Sequence, residues 1–249
     1  MKKITITLLA FSTCLSLSLP GLAQELPPGN VIVNTACTIN DGHTFAEALE
    51  AARAGNFDGE NSPNLIFYRQ PIAGGNVPAN GFLRAVYWEN LAHWARGAGA
   101  GAGGGPLDEI VNCDNANRTF FVNRNIGQGN AYEGGTSDQT LTGAVTCNIK
   151  QGSSIADVYA GLSEFNAPFQ AQGDTTLMQL SHRFLGPNEN AGFGAAIIVR
   201  FVGENGEGLA ARLDNTPKNT GSPPDAPVEN CSEMSLWSSH VIHWGLPTQ

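Results

Sequence analysis

The chain has 249 residues, with 13 Lys and Arg against 22 Asp and Glu, for a formal net charge of −9. A chain so acidic, with no basic run, is a poor partner for nucleic acid or anionic lipid surfaces. Its length allows one large domain or two small ones with a real core.

Residues 1–23 read as a cleavable signal peptide. Lys2 and Lys3 form a positive n-region, an apolar run follows from Ile4 to Leu19, and Pro20 breaks it. Gly21-Leu22-Ala23 then places small residues at the −3 and −1 positions of a cleavage site. The run is shorter than the roughly 20 residues of a bilayer-spanning helix, and no later segment is long and apolar enough to span a membrane. Cleavage near Ala23 gives a periplasmic or extracellular chain with 11 basic and 22 acidic residues, net −11. Cys14 leaves with the leader, and Cys37, Cys113, Cys147 and Cys231 remain. An even count in an exported chain, without a CxxC pair, favours two disulfides over a metal site.

The first predicted strand alternates Val31, Val33, Thr35, Cys37 and Ile39. Gly42 turns the chain, and Thr44-x-x-Glu47 is a capping box for a helix with the stripe Phe45, Ala48, Leu49 and Ala52. Strands are expected over Leu65 to Tyr68 and Phe82 to Trp88, a short helix over Glu89 to Arg96, and a closing strand over Arg118 to Asn125. Gly97 to Gly105 is almost pure Gly and Ala and reads as a loop.

After the turn-rich stretch Gly127 to Thr140 the pattern repeats. Leu141, Gly143, Val145, Cys147 and Ile149 take the offsets of the first strand. Gly152 and the box Ser154-x-x-Asp157 follow, and Ile155, Val158, Tyr159 and Leu162 repeat the helix stripe. Strands are then expected over Thr176 to Leu180, Phe193 to Phe201 and Leu236 to Trp244, with Phe193 aligned to Phe82. A weaker helix is expected over Glu204 to Leu213, and Gly221 to Pro227 is a Pro-rich counterpart of the Gly/Ala loop. Two repeats follow, 24–136 and 137–249, each β-α-β-β-(α)-β. That order is the α+β ferredoxin-like plan.

Two fused halves of this kind resemble the dimeric α/β-barrel superfamily, in which two such sheets pack face to face. The resemblance implies a pseudo-dimeric barrel, and the superfamily includes monooxygenases of small aromatic compounds, haem-degrading enzymes and binding proteins. The ferredoxin-like strand order, 4-1-3-2, also implies the disulfide pairing. It sets the first and last strands side by side, which brings Cys37 to Cys113 and Cys147 to Cys231.

No phosphate-binding loop, dinucleotide fingerprint, HExxH, GxSxG or Ca²⁺ loop is present. His240-x-x-His243 falls in a strand, where i and i+3 point to opposite faces, so a metal site there is not expected. His182 reads as a surface or loop residue. The richest local cluster is on the helix after Trp88, where Asn90, His93 and Trp94 share a face. Trp88, Asn90 and His93 are of the residue types some monooxygenases of the superfamily use on aromatic substrates; as packing, the same stripe is a helix seated on the sheet. No nucleophile stands beside a base, and no metal or cofactor is implied. The leading expectation is a non-catalytic exported protein that binds a small molecule or an envelope partner. The alternative is a monooxygenase-like enzyme using Trp88, Asn90 and His93 in a cavity between the halves.

Overall fold

Four long strands in each half answer to the alternating pattern. In the first, β1 (Asn30–Ile39), β2 (Leu65–Ala73), β3 (Gly81–Trp88) and β5 (Thr119–Ile126) pair antiparallel in the order β5-β1-β3-β2. In the second, β6 (Gln139–Ile149), β7 (Leu177–Leu185), β8 (Ala196–Val202) and β10 (Ser235–Trp244) run β10-β6-β8-β7. This computed structural model describes residues 26–98, 106–129, 139–186, 196–216 and 226–246. The leader, the glycines at 99–105, Phe193 and most of the turn-rich stretch between the repeats lie outside them.

The two sheets join along both edges. β5 pairs with β7 and β10 pairs with β2, both antiparallel, so eight strands close into one barrel. Each half's last strand lies against the other half's second strand, and neither half keeps a free long edge. The fold is the α+β pseudo-dimeric barrel. These joins also explain why β2 and β7 outrun their apolar stretches, Leu65 to Tyr68 and Thr176 to Leu180. Arg69 pairs with Ser239 and Arg183 with Phe121, so the other half holds the polar continuations in the sheet.

Two short strands complete the ladders, β4 (Val111–Cys113) on β1 and β9 (Val228–Glu229) on β6. β4 sets Cys113 directly opposite Cys37, and the two form a disulfide; Cys147 and Cys231 form the second. Register also corrects one part of the repeat alignment. Cys37 faces Phe82 across the first sheet, and Cys147 faces Ile197 across the second. The counterpart of Phe82 is therefore Ile197 rather than Phe193, because the loop before β8 is longer than the loop before β3.

Five helices are described: α1 (Phe45–Arg53), α2 (Leu91–Ala98), α3 (Pro106–Ile110), α4 (Ile155–Ala171) and α5 (Gly206–Asn215). Both expected capping boxes form. Glu47 accepts from the Thr44 N–H at 2.6 Å and Asp157 from the Ser154 N–H at 2.7 Å, while each hydroxyl accepts in return from the backbone three residues on. α1 buries Ala48 and Ala52, and α4 buries Val158, Leu162 and Phe165. Phe45, Leu49 and Ile155, expected at full burial, are only half-buried, because they sit at the margins of their stripes. No helix among the described residues is long and apolar enough to cross a membrane.

Cores lie on both sides of the sheet. Inside the barrel Ile32, Phe67, Tyr87 and Phe121 of the first half meet Leu177 and Val202 of the second. Outside, α1 packs on Cys37, Phe82 and Ile242, and α4 and α5 pack on Val199, Phe201 and Ile126.

Candidate functional site

Among the described residues, the barrel interior and a cleft on the outer face of the first half both gather polar side chains. The interior holds two buried cations, Arg69 and Arg200, each 3% exposed. Arg69 donates to Ser239 Oγ at 3.2 Å and to the Tyr87 hydroxyl at 2.8 Å. Arg200 donates to Ser181, which donates in turn to Asn123 Oδ1 at 2.7 Å. Phe67, Tyr87 and Phe121 give the guanidinium groups ring faces. Burial first, and then repulsion from Arg69, lower Arg200 to about 10 against the pull of Tyr87. It remains charged at neutral pH. This network lies on the inward side of the sheets, beside the apolar residues shared by the two halves.

The outer cleft has a volume of about 1250 Å³. Its floor is the outward face of β1, β2 and β3, where alternation brings Thr35, Tyr68, Arg84 and Trp88 to one side. Its walls are residues 56–63 after α1, Trp94 and Gly97 of α2, and Leu107 of α3. α2 comes so close that a Cβ on Gly97 would lie 2.5 Å from the Trp88 ring and 2.3 Å from the Asn61 carbonyl oxygen. Glycine is required there for the helix to seat against the indole.

Arg84 is the cleft's deep cation. It donates from Nη2 to Asn115 Oδ1 at 3.1 Å, and the Asn115 backbone carbonyl accepts from Arg118 Nε at 2.7 Å. Burial lowers the Arg84 pKa; Tyr68 raises it, Arg118 lowers it further and Asp108 raises it. Tyr68, 2% exposed, is pushed up by burial and drawn back by Arg84. Among the described residues, Arg84 Nε and Trp88 Nε1 of the cleft lining are buried without an acceptor, and so is Nε2 of His93, which packs on Trp88 outside the lining. The last assignment follows from Nδ1, which accepts from the Glu89 N–H at 3.4 Å and so leaves the ring proton on Nε2.

The expected site residues therefore separate. Trp88 and His93 meet ring edge to ring face, with centroids 5.2 Å apart, and both are 7% exposed. Trp88 lines the cleft, and His93 backs it from behind. Asn90 is exposed and caps α2, its Oδ1 accepting from the His93 N–H at 2.9 Å. The cluster lies on the outer face of the first sheet and not between the halves. Trp88 belongs to the outward side of β3, whereas Ala85 and Tyr87 point into the barrel.

Arg84, Tyr68, Arg69 and Arg200 were not singled out from the sequence. A signal was present, since each arginine interrupts an otherwise apolar strand: IFYR, GFLRAV, IIVRFV. Which face each would take depends on register, and register is not local.

The histidines correct two expectations. His182 lies within β7, half-buried, with Nδ1 3.4 Å from Arg124; burial and that cation lower its pKa. His240 and His243 do not take opposite faces. A bulge between Val241 and His243 shifts the parity, so that His240 packs on Phe45 and His243 stacks on Phe57, both on the outer side. No group of three or more potential metal ligands occurs among the described residues.

No protein-family model matches the sequence, and no curated protein matches it significantly. Solved structures match along nearly the whole fold. A provisionally assigned monooxygenase from Lactobacillus acidophilus NCFM is 11% identical, with a TM-score of 0.54 over 86% of this chain and 95% of that one. A second, from Fusobacterium nucleatum subsp. nucleatum ATCC 25586, is 9% identical, with a TM-score of 0.53 over 88% and 94%. An anthrone oxidase-like protein is 10% identical, with a TM-score of 0.45 over 91% and 98%. At such identities the likeness establishes the dimeric α/β-barrel fold. These structures bear enzyme names, a finding that stands against the expectation of a non-catalytic binding protein.

Proposed function

We propose that this chain is a monooxygenase-like enzyme that takes a small aromatic compound into the outer cleft of its first half. The observation that carries this reading is the cleft itself, about 1250 Å³ in volume, with Tyr68 and Trp88 in its floor, Trp94 in its wall, and two lining residues, Arg84 and Trp88, that each keep a buried N–H without an acceptor. Aromatic walls offer π faces to a planar ligand. A buried unsatisfied N–H costs about 1–3 kcal/mol, and a ligand oxygen can offset it. Two of the matched structures, with TM-scores of 0.54 and 0.53, are monooxygenases by name.

The reaction class has a simple balance. An activated methylene, R₂CH₂, and dioxygen give R₂C=O and water; two C–H bonds and the O–O bond break, and the substrate supplies the electrons that reduce the second oxygen atom. The chain's part is to hold the ring against the tryptophans and to keep the reacting carbon in place. On this reading the mature chain begins after Ala23, consists of repeats 24–136 and 137–249, and works outside the cytoplasm. Its two disulfides support export.

The test is dioxygen consumption by the purified protein with a panel of hydroxylated bicyclic and tricyclic aromatics bearing a benzylic methylene. Expected is uptake above the buffer rate for at least one compound, with one ketone formed per dioxygen. Uptake at the buffer rate across the panel would overturn the reading.

A further inference from the structure

We propose that the ligand of the outer cleft is an aromatic carboxylate, its anionic group seated at Arg84 and Arg118 and its ring against Trp88 and Trp94. This rests on the reading of the cleft as the substrate site and adds the ligand's charge to it.

The cation pair is built. Asn115 gives its side-chain oxygen to Arg84 and its backbone oxygen to Arg118, so one residue holds both guanidinium groups on the cleft. Both groups are cations held by the same residue, and like charges brought together repel. Like charges held together in a partly desolvated place cost free energy unless an anion lies between them. Asp108 and Glu60 also line the cleft and are exposed; the pull of Asp108 on Arg84 is the smallest of the influences on that group. The Arg84 side-chain hydrogen bond goes to a neutral amide, and its Nε–H has no acceptor. A small rotation of the guanidinium would turn that N–H and an Nη–H together towards a carboxylate, the paired geometry that arginine favours.

The rest of the cleft fixes the other end of the ligand. Arg84 and Trp88 stand four residues apart on one face of β3, so their Cα atoms are separated by roughly 13 Å. Val86 lies between them in the floor. A carboxylate at Arg84 thus leaves room for one or two fused rings along Val86 to the indoles of Trp88 and Trp94. The charge at one end and the apolar, aromatic surface at the other match an aryl carboxylate better than a neutral arene or an aliphatic acid.

Calorimetric titration of the whole protein with 2-naphthoate and with 2-naphthamide, its neutral near-isostere, tests this. Naphthoate should bind about tenfold or more tightly than the amide, the range for one charge-assisted contact. In Arg84→Gln and in Arg118→Gln the preference should fall towards one while the amide's affinity stays within about threefold. Arg118 is half-buried and near the surface, so its variant reads out the cation pair even where Arg84→Gln does not fold. Equal affinities for acid and amide, an unchanged preference in Arg118→Gln, or no binding of either compound would each overturn the proposal. Equal binding of the two probes sinks the carboxylate but leaves an aromatic cleft. Selective naphthoate binding without dioxygen uptake on the wider panel sinks the oxygenase reading but leaves the carboxylate.

Discussion

The two halves share a sheet order, a capped first helix and a disulfide at the same place, yet their outer layers differ. In the second half α4 has 17 residues against 9 in α1, about 25 Å against 13 Å of helix. It covers the sheet, and α5 closes the remainder. Arg212 of α5 sits beneath this layer, 2% exposed, ion-paired with Asp174 and bonded to Asn166 Oδ1 at 2.9 Å. Its guanidinium lies 3.7 Å from the Phe169 ring centroid. In the first half the short α1 stops early, and residues 56–63, α2 and α3 wall a cleft instead of filling it. The deep cation there, Arg84, has a neutral amide where Arg212 has a carboxylate. One half pairs its deep cation with a carboxylate, the other gives its deep cation only a neutral amide, and each keeps a buried Nε–H without an acceptor.

The sharpest way to break this comparison is to remove each cation. Arg212→Met strands Asp174 beneath the helix layer and should cost about 3–5 kcal/mol in urea unfolding. Adding Asp174→Leu should restore much of that loss, since an apolar pair removes the stranded charge. Arg84→Met should change stability by under about 1 kcal/mol, because it deletes a partly desolvated cation that has no carboxylate in hydrogen-bond contact. If Arg84→Met proves as costly as Arg212→Met, then Arg84 is a structural residue and the halves are alike.

A milder contrast concerns the first helices. Leu162 of α4 is fully buried, and truncation to Ala should cost about 2–5 kcal/mol. Leu49 is half-buried at the margin of α1, and the same change should cost about 1 kcal/mol or less. Equal losses would mean that α1 covers its sheet as fully as α4 does.

The smallest effect is expected at Asn90. As the cap of α2 it should lose about 1 kcal/mol on replacement by Ala, seen as a lowered unfolding midpoint. The naphthoate preference should not move, since Asn90 does not line the cleft. A large loss of ligand affinity at unchanged stability would return Asn90 to the site.

Much of the scaffold was legible locally. The period-2 runs marked the long strands, and the boxes at Thr44 and Ser154 marked two helix starts to the residue, because a cap is a bond between neighbours three residues apart. The site was legible in part. Trp88 stood out by type and lines the cleft, whereas Asn90 looked functional by type and proved to be a cap. Arg84 passed unnoticed, because a lone arginine in an apolar strand does not announce which face it takes.

The sequence by itself determined the order of the long strands in the two halves, the two capped helices and the cysteine framework, all of which are written in spacings that the chain cannot alter by folding, whereas α3 and the short strands β4 and β9 left no such spacing. Only the tertiary structure decided the rest. Closure of the barrel rests on β5–β7 and β10–β2, pairings between different repeats, and no local pattern specifies a partner across that distance. The bulge at Val241 to His243 set two histidines on one face where alternation gave them two. The cleft exists because α1 ends after 9 residues and α2 docks on Trp88 through Gly97, and empty space of that kind is a property of packed elements rather than of any residue in them.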